Sequence, residues 1–225
     1  MMVFNYAIKE SFRQPLNVIL IFLLPVAVLF IPGSEYGFPQ GISLVGMVIL
    51  YSGYLLSRPV AEDRMKGISV RIEASPISRI SYLSSHLAAY FLILMIQSLI
   101  FIIGTLVLHG EATFGQLSIF SLYLSFALMT LAFTLAWTSF FRNFNLSFGL
   151  FSGIGSVMCL VSGISVPIRV LPERLIPFIR VLPTYWLPYG LDAVFEGERN
   201  GFLIAHTVLL IYAGIFLLIG SRRRN

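Results

Sequence analysis

The sequence has 225 residues, of which 57% are hydrophobic and 11% are charged. A soluble domain carries about 25% charged residues, so this composition excludes an ordinary water-soluble fold. The net charge of +5 does not indicate a nucleic-acid partner, because the basic residues flank apolar segments, where they set membrane topology.

Long segments without Lys, Arg, Asp or Glu divide the chain. Each exceeds the roughly 20 residues that an apolar helix needs to cross a bilayer. Lipid leaves open backbone groups unpaired, and barrel strands of about 10 residues are far shorter, so we expect helices. The sequence predicts an all-α integral membrane protein, a single transmembrane domain over 1–225 with no room for a soluble catalytic domain. The uncharged segments are 14–34, 36–57, 80–110, 112–141, 143–168 and 200–221, and the six predicted spans are about 16–32, 41–57, 82–108, 117–140, 146–168 and 202–220.

The basic residues alternate between connections. They occur before the first span, in 58–79, at Arg142 and in the C-terminal segment 222–224, whereas the first and third inter-span connections have none. This pattern places both termini in the cytoplasm of a multi-pass protein of the plasma (inner) membrane. The connection 169–201 also has four arginines, but we assign it to the external side because the basic residues of the other connections together favour that topology.

Residues 2–14 predict a short amphipathic helix. Phe4, Ile8 and Phe12 recur at a spacing of four, with Lys9 and Arg13 on another face. A helix of this kind lies against lipid in the headgroup plane. The alternative is that residues 2–14 are the irregular beginning of the first span, although Pro15 favours a bend between this helix and the span. Pro25 predicts a kink within that span.

The connection 58–79 mixes both signs of charge and predicts a docking element. Glu62 and Lys66 form a favourable i,i+4 pair, and Gly67 is a typical helix stop. A second short helix over 68–74 would end before Ser75-Pro76. The alternative is a solvated loop whose cations only anchor topology. The candidate docking residues are Glu62, Asp63, Arg64, Lys66 and Gly67.

The fifth predicted span has small residues along one face. Gly149, Ser152, Ser156, Cys159 and Gly163 are spaced by three or four, and Gly149 with Gly153 forms a GxxxG pattern. Such a stripe lets another backbone approach closely. The partner could be a helix of this chain or a second subunit, and the pattern leaves both open. The candidate packing residues are Gly149, Gly153 and Ser156.

The external connection is too apolar for a free loop. A short helix after Pro172 would present a face of Leu175, Ile176, Phe178, Ile179 and Leu182. Tyr185, Trp186 and Tyr189 then cluster as interfacial aromatic residues do. We expect two short helices that dip into the outer leaflet; the alternative is a simple interfacial anchor. The candidate gate residues are Pro172, Pro183, Tyr185 and Trp186.

The order and spacing of these motifs resemble the type-2 ABC exporter permeases (ABC-2 type). The loop after the second span has Glu62, Arg64, Gly67, Ser75-Pro76 and Ser78-Arg79, and Ser162-Gly163, Pro167, Leu171-Pro172 and the 183–186 segment Pro-Thr-Tyr-Trp follow the fifth. The departures are Ile68, where the family commonly has Thr, and the short external loops.

The resemblance implies a membrane path whose energy comes from elsewhere. A separate soluble ABC ATPase would bind ATP and Mg²⁺ and dock on the loop and the connecting helix 2–14. A second permease copy or a related permease would complete the path. This chain has no G-x-x-x-x-G-K-[ST] phosphate loop, so we expect no cofactor and no enzyme activity in it. A path rich in Ser, Thr, Tyr, Phe and Met suits a hydrophobic or amphipathic cargo, such as a peptide, a drug or a lipid-like compound.

Two alternative functions do not involve an ATPase. A secondary transporter usually needs an ionisable residue at membrane depth, and the predicted spans show none at their middle. A channel would need a filter or a charged ring, and no such pattern occurs. His86, His109 and His206 lie at predicted span ends in no metal-like cluster, so we predict neither catalytic nor metal-binding residues.

Overall fold

The computed structural model describes residues 2–13, 15–31, 40–65, 79–109, 115–170 and 172–222, and within these ranges the regular structure is helical, without strands. Short 3₁₀ turns lie at Ile168–Val170, Glu173–Leu175 and Pro183–Tyr185. The helices are α1 Met2–Arg13, α2 Pro15–Val18, a π-helical turn Ile19–Leu23, α3 Leu24–Leu29, α4 Gln40–Leu56, α5 Arg58–Met65, α6 Arg79–His109, α7 Gln116–Thr138, α8 Phe144–Val161, α9 Ile176–Ile179, α10 Trp186–Phe195 and α11 Arg199–Arg222.

Five helical segments are long and apolar enough to cross a membrane. They correspond to the second to sixth predicted spans, so the helical class is confirmed within the described residues. Six spans are not confirmed. The five segments are Gly41–Asp63, Ser84–Leu108, Gln116–Thr138, Phe144–Val161 and Arg199–Gly220.

The first predicted span is broken into three helical pieces between Pro15 and Leu29. Pro25 has no N–H, and its ring clashes with the carbonyl four residues earlier in a regular helix. The chain avoids this with a π-helical turn, in which the Leu24 N–H bonds to the Ile19 carbonyl. Fifteen helical residues extend about 22 Å, which is less than the ~30 Å of a bilayer core.

Helix α7 is the centre of the bundle. It packs against α4, α6, α10 and α11. Helices α4 and α11 run parallel to it, since the Tyr123 hydroxyl donates to the Ile42 carbonyl (2.6 Å) near one end. At the other end, Gly220 of α11 packs against Ala136 of α7. A Cβ added at Gly220 would lie 3.4 Å from the Ala136 backbone.

The parallel helices define two ends of the bundle. We call the end where α4, α7 and α11 begin the hairpin end, and the end where they finish the loop end. Helices α6 and α8 run the opposite way and begin at the loop end, because Tyr82 of α6 contacts Asp63 and Arg58 lies over Phe144 of α8.

Helix α8 stops at Val161, seven residues before the predicted end of its span at 168. Gly163 follows in a left-handed conformation (φ 96°) that ends the helix. The next residue, Ile164, contacts α4 at Gly46, six residues into that helix, or about 9 Å from its first residue. The described residues of 162–198 therefore include some that pack beside α4 beyond the end of α8.

Candidate coupling site and re-entrant hairpin

Helix α5 is the described part of the predicted docking loop, and it is attached to the bundle by small apolar residues. Ser57 ends α4 with a bond from its hydroxyl to the Tyr54 carbonyl (2.7 Å), and α5 starts at the next residue. Pro59 suits a first helical turn. Val60 and Ala61 are each 1% exposed, and α5 contacts α4, α7 and α8. The helix is thus seated where several spans meet.

The first charged residues of α5 interact with one another and with α8. Arg58 Nε lies 2.6 Å from Glu62 Oε1, with the two side chains 39% and 31% exposed. An i,i+4 pair of this exposure contributes about 0.3–0.5 kcal/mol. The Arg58 guanidinium lies 5.0 Å from the ring centre of Phe144, at the start of α8. The predicted partner Lys66, Gly67 and the helix 68–74 lie outside the described residues, as does the Arg64 side chain.

Asp63 connects α5 to α6. The Tyr82 hydroxyl donates to Asp63 Oδ2 at 2.5 Å. Burial raises the pKa of Tyr82 well above its ordinary value, and the neighbouring Asp63 carboxylate raises this pKa further, so the hydroxyl stays protonated and remains a donor. Sequence reasoning missed this contact, because Tyr82 and Asp63 are separated by 19 residues and no local pattern pairs them.

Helix α1 occurs where the connecting helix was predicted, and it packs against α6. Its most buried residues are Ala7 and Ser11, at 0% and 1% exposure, which sequence reasoning did not single out. Of the predicted apolar face, Phe4 and Ile8 pack partly against the core. Phe12 is 41% exposed, with its ring stacked on Phe22. The placement of α1 in the headgroup plane stays a prediction.

The hairpin, residues 172–198, consists of α9, the inner turn Pro183–Tyr185 and α10, and α10 lies against α11. The two helices are antiparallel, because an added Cβ at Gly190 would meet Ala205 at 2.8 Å and one at Gly201 would meet Ala193 at 2.9 Å. Leu187 is fully buried and contacts α4 at Gly46. The hairpin is therefore wedged between α4, α7 and α11.

The predicted gate residues Pro183, Tyr185 and Trp186 meet at the inner turn of the hairpin. Tyr185 is 3% exposed, and its ring packs against Trp186 and stacks on Tyr189. The Trp186 indole donates to the Arg180 carbonyl at 3.1 Å. Pro172 is exposed, before the turn Glu173–Leu175.

The predicted first helix of the hairpin is shorter than expected. Only Ile176–Ile179 is α-helical, and its residues do not share one buried face. Ile179 is 2% exposed, whereas Phe178 is 75% exposed. Pro177 is exposed in the same short helix. The apolar residues of this segment therefore include some that the chain itself does not cover.

Two tyrosines of α4 hold α8 by hydrogen bonds. The Tyr51 hydroxyl donates to the Ser152 carbonyl at 2.9 Å and lies 2.7 Å from Ser156 Oγ. The Tyr54 hydroxyl donates to Ser147 Oγ at 2.7 Å. Sequence reasoning treated Ser152 and Ser156 as small packing residues and did not predict these bonds.

The glycines of the GxxxG pattern lie on the opposite side of α8. Gly149 and Gly153 are exposed, and an added methyl group at either would meet no atom within 4 Å in the described part of the chain. The intrachain alternative for these two residues therefore receives no support. Of the three candidate packing residues Gly149, Gly153 and Ser156, Ser156 is the one with a contact to α4, through its bond to Tyr51. Cys159 of the same predicted stripe is fully buried.

His86 and His206 lie inside helices and contact polar neighbours. His206 of α11 lies between two serines of α7, 3.1 Å from Ser121 and 2.7 Å from Ser125. His86 is 2% exposed, with Nδ1 3.1 Å from the Tyr82 carbonyl. Over the described ranges, no group of three or more His, Cys, Asp or Glu residues could hold a metal ion.

Comparison with known proteins agrees with this architecture. The family model described as ABC-2 family transporter protein matches residues 32–222, which is most of the chain. No curated protein matches the chain in sequence. With five membrane-crossing helices and this match, the chain belongs to the ABC-2 transporter family and is a multi-pass membrane permease.

Proposed function

We propose that this permease is the membrane-spanning subunit of an ATP-driven exporter that moves a hydrophobic or amphipathic cargo out of the cell. Members of the ABC-2 family normally work with an ABC ATPase, and this chain shows no phosphate loop of its own. Cytoplasmic placement of the loop end follows from its basic residues, because positively charged connections face the cytoplasm. Cargo therefore leaves toward the hairpin end.

The observation that carries this proposal is the convergence of four spanning helices on α5. Val60 and Ala61 pack it against α4, α7 and α8, and Asp63 bonds to Tyr82 of α6. A displacement of α5 would thus be transmitted to all four helices at once. An ATPase that pulls on this short helix as it closes on ATP has a direct mechanical connection to the membrane path.

The remaining surface of the coupling site is the part that would meet the ATPase. Glu62 and Asp63 are each partly exposed, in addition to the bonds they make within the chain. We assign Arg64, Lys66 and Gly67 to the same docking element. The connecting helix α1, with Phe4, Ile8 and Phe12, contributes its outer face to lipid and to the ATPase.

At the hairpin end, the inner turn around Pro183, Tyr185 and Trp186 acts as the external gate. The stacking of Tyr185 on Tyr189 and the bond from the Trp186 indole to the Arg180 carbonyl hold this turn in one shape. It is wedged against α4, so that movement of α4 opens or closes it. Pro172 would limit the flexibility of the segment that leads into the turn.

A second permease completes the path by packing against α8. The outward face of this helix is apolar, and Gly149 and Gly153 would allow a partner helix to approach closely. The partner is a second copy of this chain or a related permease.

The coupling is tested by two substitutions in purified permease reconstituted with its ATPase in liposomes. Glu62→Ala and Gly67→Pro are expected to reduce permease-dependent ATP hydrolysis at least about tenfold, because each removes a docking contact worth on the order of 1.4 kcal/mol or more. Membrane insertion stays normal. Glu198→Ala, an exposed acid at the opposite end, serves as the matched control. Unchanged ATPase stimulation in both loop variants would count against docking at α5.

Transport itself is tested in cells that express the permease with or without the ATPase. Retention of a panel of fluorescent amphipathic compounds is expected to fall when both proteins are present. Equal retention in the two strains would contradict ATP-driven export and would favour a secondary transporter or a channel.

A further inference from the structure

Arg180 lies far from the hairpin end along the length of the bundle, as the geometry of α10 shows. This helix runs antiparallel to α11 from Phe195, near the hairpin end, to Trp186, its first and innermost residue. Nine helical steps place Trp186 about 14 Å below Phe195. The Trp186 indole bonds to the Arg180 carbonyl at 3.1 Å, so Arg180 lies at a similar depth.

A second contact gives the same depth independently. The Tyr212 hydroxyl donates to the Val181 carbonyl at 2.7 Å. Tyr212 is thirteen residues beyond Arg199, the first residue of the membrane-crossing part of α11, or about 20 Å along the helix axis. Helical side chains lean back toward the N-terminus, which reduces this depth somewhat. Both measures bring Arg180 near the middle of a hydrocarbon core of about 30 Å.

At this depth, no other part of the described chain covers the Arg180 side chain. Arg180 is exposed, and its neighbours Phe178 and Val181 are 75% and 69% exposed. Within the described part of the chain, no carboxylate forms an ion pair with its guanidinium. Asp192, the nearest acid along α10, is six residues or about 9 Å above Trp186, toward the hairpin end.

A charged side chain at membrane depth is costly unless it pairs with an opposite charge. A guanidinium is best satisfied by the two oxygens of a phosphate or a carboxylate, which it binds as a fork. The exposed Phe178 and Val181 on either side offer contact to an apolar tail. The ligand that fits all three residues is an amphiphile with an anionic headgroup.

We propose that Arg180 binds the phosphate or carboxylate headgroup of an anionic amphiphile whose apolar tail lies against Phe178 and Val181. This inference rests on the membrane placement in the proposed function and names the charge of the cargo class. A headgroup held at this depth, beside the inner turn of the hairpin, would be in position to pass that turn when it opens.

The depth of the site is measured first, with one native fluorophore. The chain has two tryptophans, and Trp137→Phe leaves Trp186 as the only one. The variant is reconstituted in phosphatidylcholine with bromine atoms placed near the headgroup, midway along the acyl chain, or near its end. Quenching is expected to be strongest with the deeper bromines. Strongest quenching by bromines near the headgroup would overturn the proposal.

Ligand binding is then measured by comparing brominated phosphatidylglycerol with brominated phosphatidylcholine as quenchers of Trp186. The anionic lipid is expected to quench preferentially, and Arg180→Gln is expected to lower that preference about tenfold, since charge-assisted hydrogen bonds are lost. Arg199→Gln is the matched control, because Arg199 is an exposed arginine at the start of α11. An equal preference in the wild type and Arg180→Gln, or equal losses in both variants, would overturn the proposal.

A third arm separates a bound amphiphile from a small anion. Inorganic phosphate in the buffer is expected to leave the quenching by phosphatidylglycerol unchanged, and release of the quenching would overturn assignment to an amphiphile. The depth measurement does not need Arg180→Gln, so the proposal stays testable if that variant fails to fold. All arms omit the ATPase, so their failure is distinguishable from failure of coupling through α5.

Discussion

Helices α7 and α8 are both free of charged residues and both long enough to cross a membrane, but they are packed very differently. Within their membrane-crossing segments, 67% of α7 is buried inside the chain, compared with 28% of α8. Helix α7 packs against α4, α6, α10 and α11, whereas α8 contacts α4, α5 and α7 along one face. Two segments of similar composition therefore serve as the centre and the edge of the same bundle.

The difference shows how small residues act on each helix. At α7, close approach comes from glycines of its neighbours: Gly53 of α4 meets Thr130, and Gly190 of α10 meets Leu122. At α8, Gly149 and Gly153 point away from the bundle, and tyrosine–serine hydrogen bonds make the attachment. Small residues thus bring α7 close to its partners within the chain and leave α8 a free face for a partner outside it.

The largest expected effect on the unfolding temperature comes from a substitution at the α4–α7 contact. Gly53→Leu would place a Cβ 2.6 Å from Thr130 Cγ2 and push a larger side chain toward Leu94. Overpacking of a well-packed contact costs about 1–3 kcal/mol, so the thermal unfolding temperature of the purified protein is expected to fall by several degrees. Unfolding in detergent, followed by circular dichroism, measures this.

The matched control for that substitution is Gly153→Leu, in which the added Cβ meets no atom within 4 Å in the described part of the chain. Its unfolding temperature in monomeric detergent-solubilised protein is expected to equal that of the wild type. If both variants lose stability equally, the contrast between a packed α7 and a free face of α8 is wrong.

A smaller effect is expected from Tyr54→Phe, which removes the hydroxyl bonded to Ser147 on α8. Interhelical hydrogen bonds in membranes contribute about 0.6 kcal/mol, so the substitution should loosen α8 without unfolding the bundle. Cys159 reports this directly, because it is the only cysteine of the chain and is fully buried on α8. Its rate of labelling by a maleimide is expected to rise about threefold.

Tyr212→Phe is the control for that experiment, since its hydroxyl bonds to the hairpin and not to α8. Cys159 labelling is expected to stay at the wild-type rate in this variant. A rise of the same size in both variants would show that the labelling reports general loosening instead of release of α8.

The smallest effect on stability is expected from Gly149→Leu, which should leave the unfolding temperature unchanged because the site is open. Its consequence lies in assembly: a leucine on this face is expected to weaken self-association several-fold by keeping a partner helix at a distance. Energy transfer between labelled permeases in liposomes measures this. Undiminished transfer in Gly149→Leu would place the subunit interface elsewhere than on α8.

The sequence alone determined the helical class and five of the six predicted spans, because a bilayer requires long uncharged helices whatever their neighbours are. It also predicted short helices near the positions of α1, α5 and α10, since charge, glycine and proline act locally, while docking and gating by these helices stay predictions. The first span shows the limit of this reasoning. Pro25 predicted a kink, but the π-helical turn that shortens the regular helix depends on how the backbone avoids the proline ring.

Only the tertiary structure decided which residues meet. The pairing of Asp63 with Tyr82, the outward placement of Gly149 and Gly153, and the contact of Tyr212 with the Val181 carbonyl all depend on the rotation and register of helices that are distant in sequence. Hydropathy carries no information on rotation when every face of a helix is apolar, as on α7 and α8. Side-chain packing and a few buried hydrogen bonds choose the rotation instead, and these exist only once the bundle has formed.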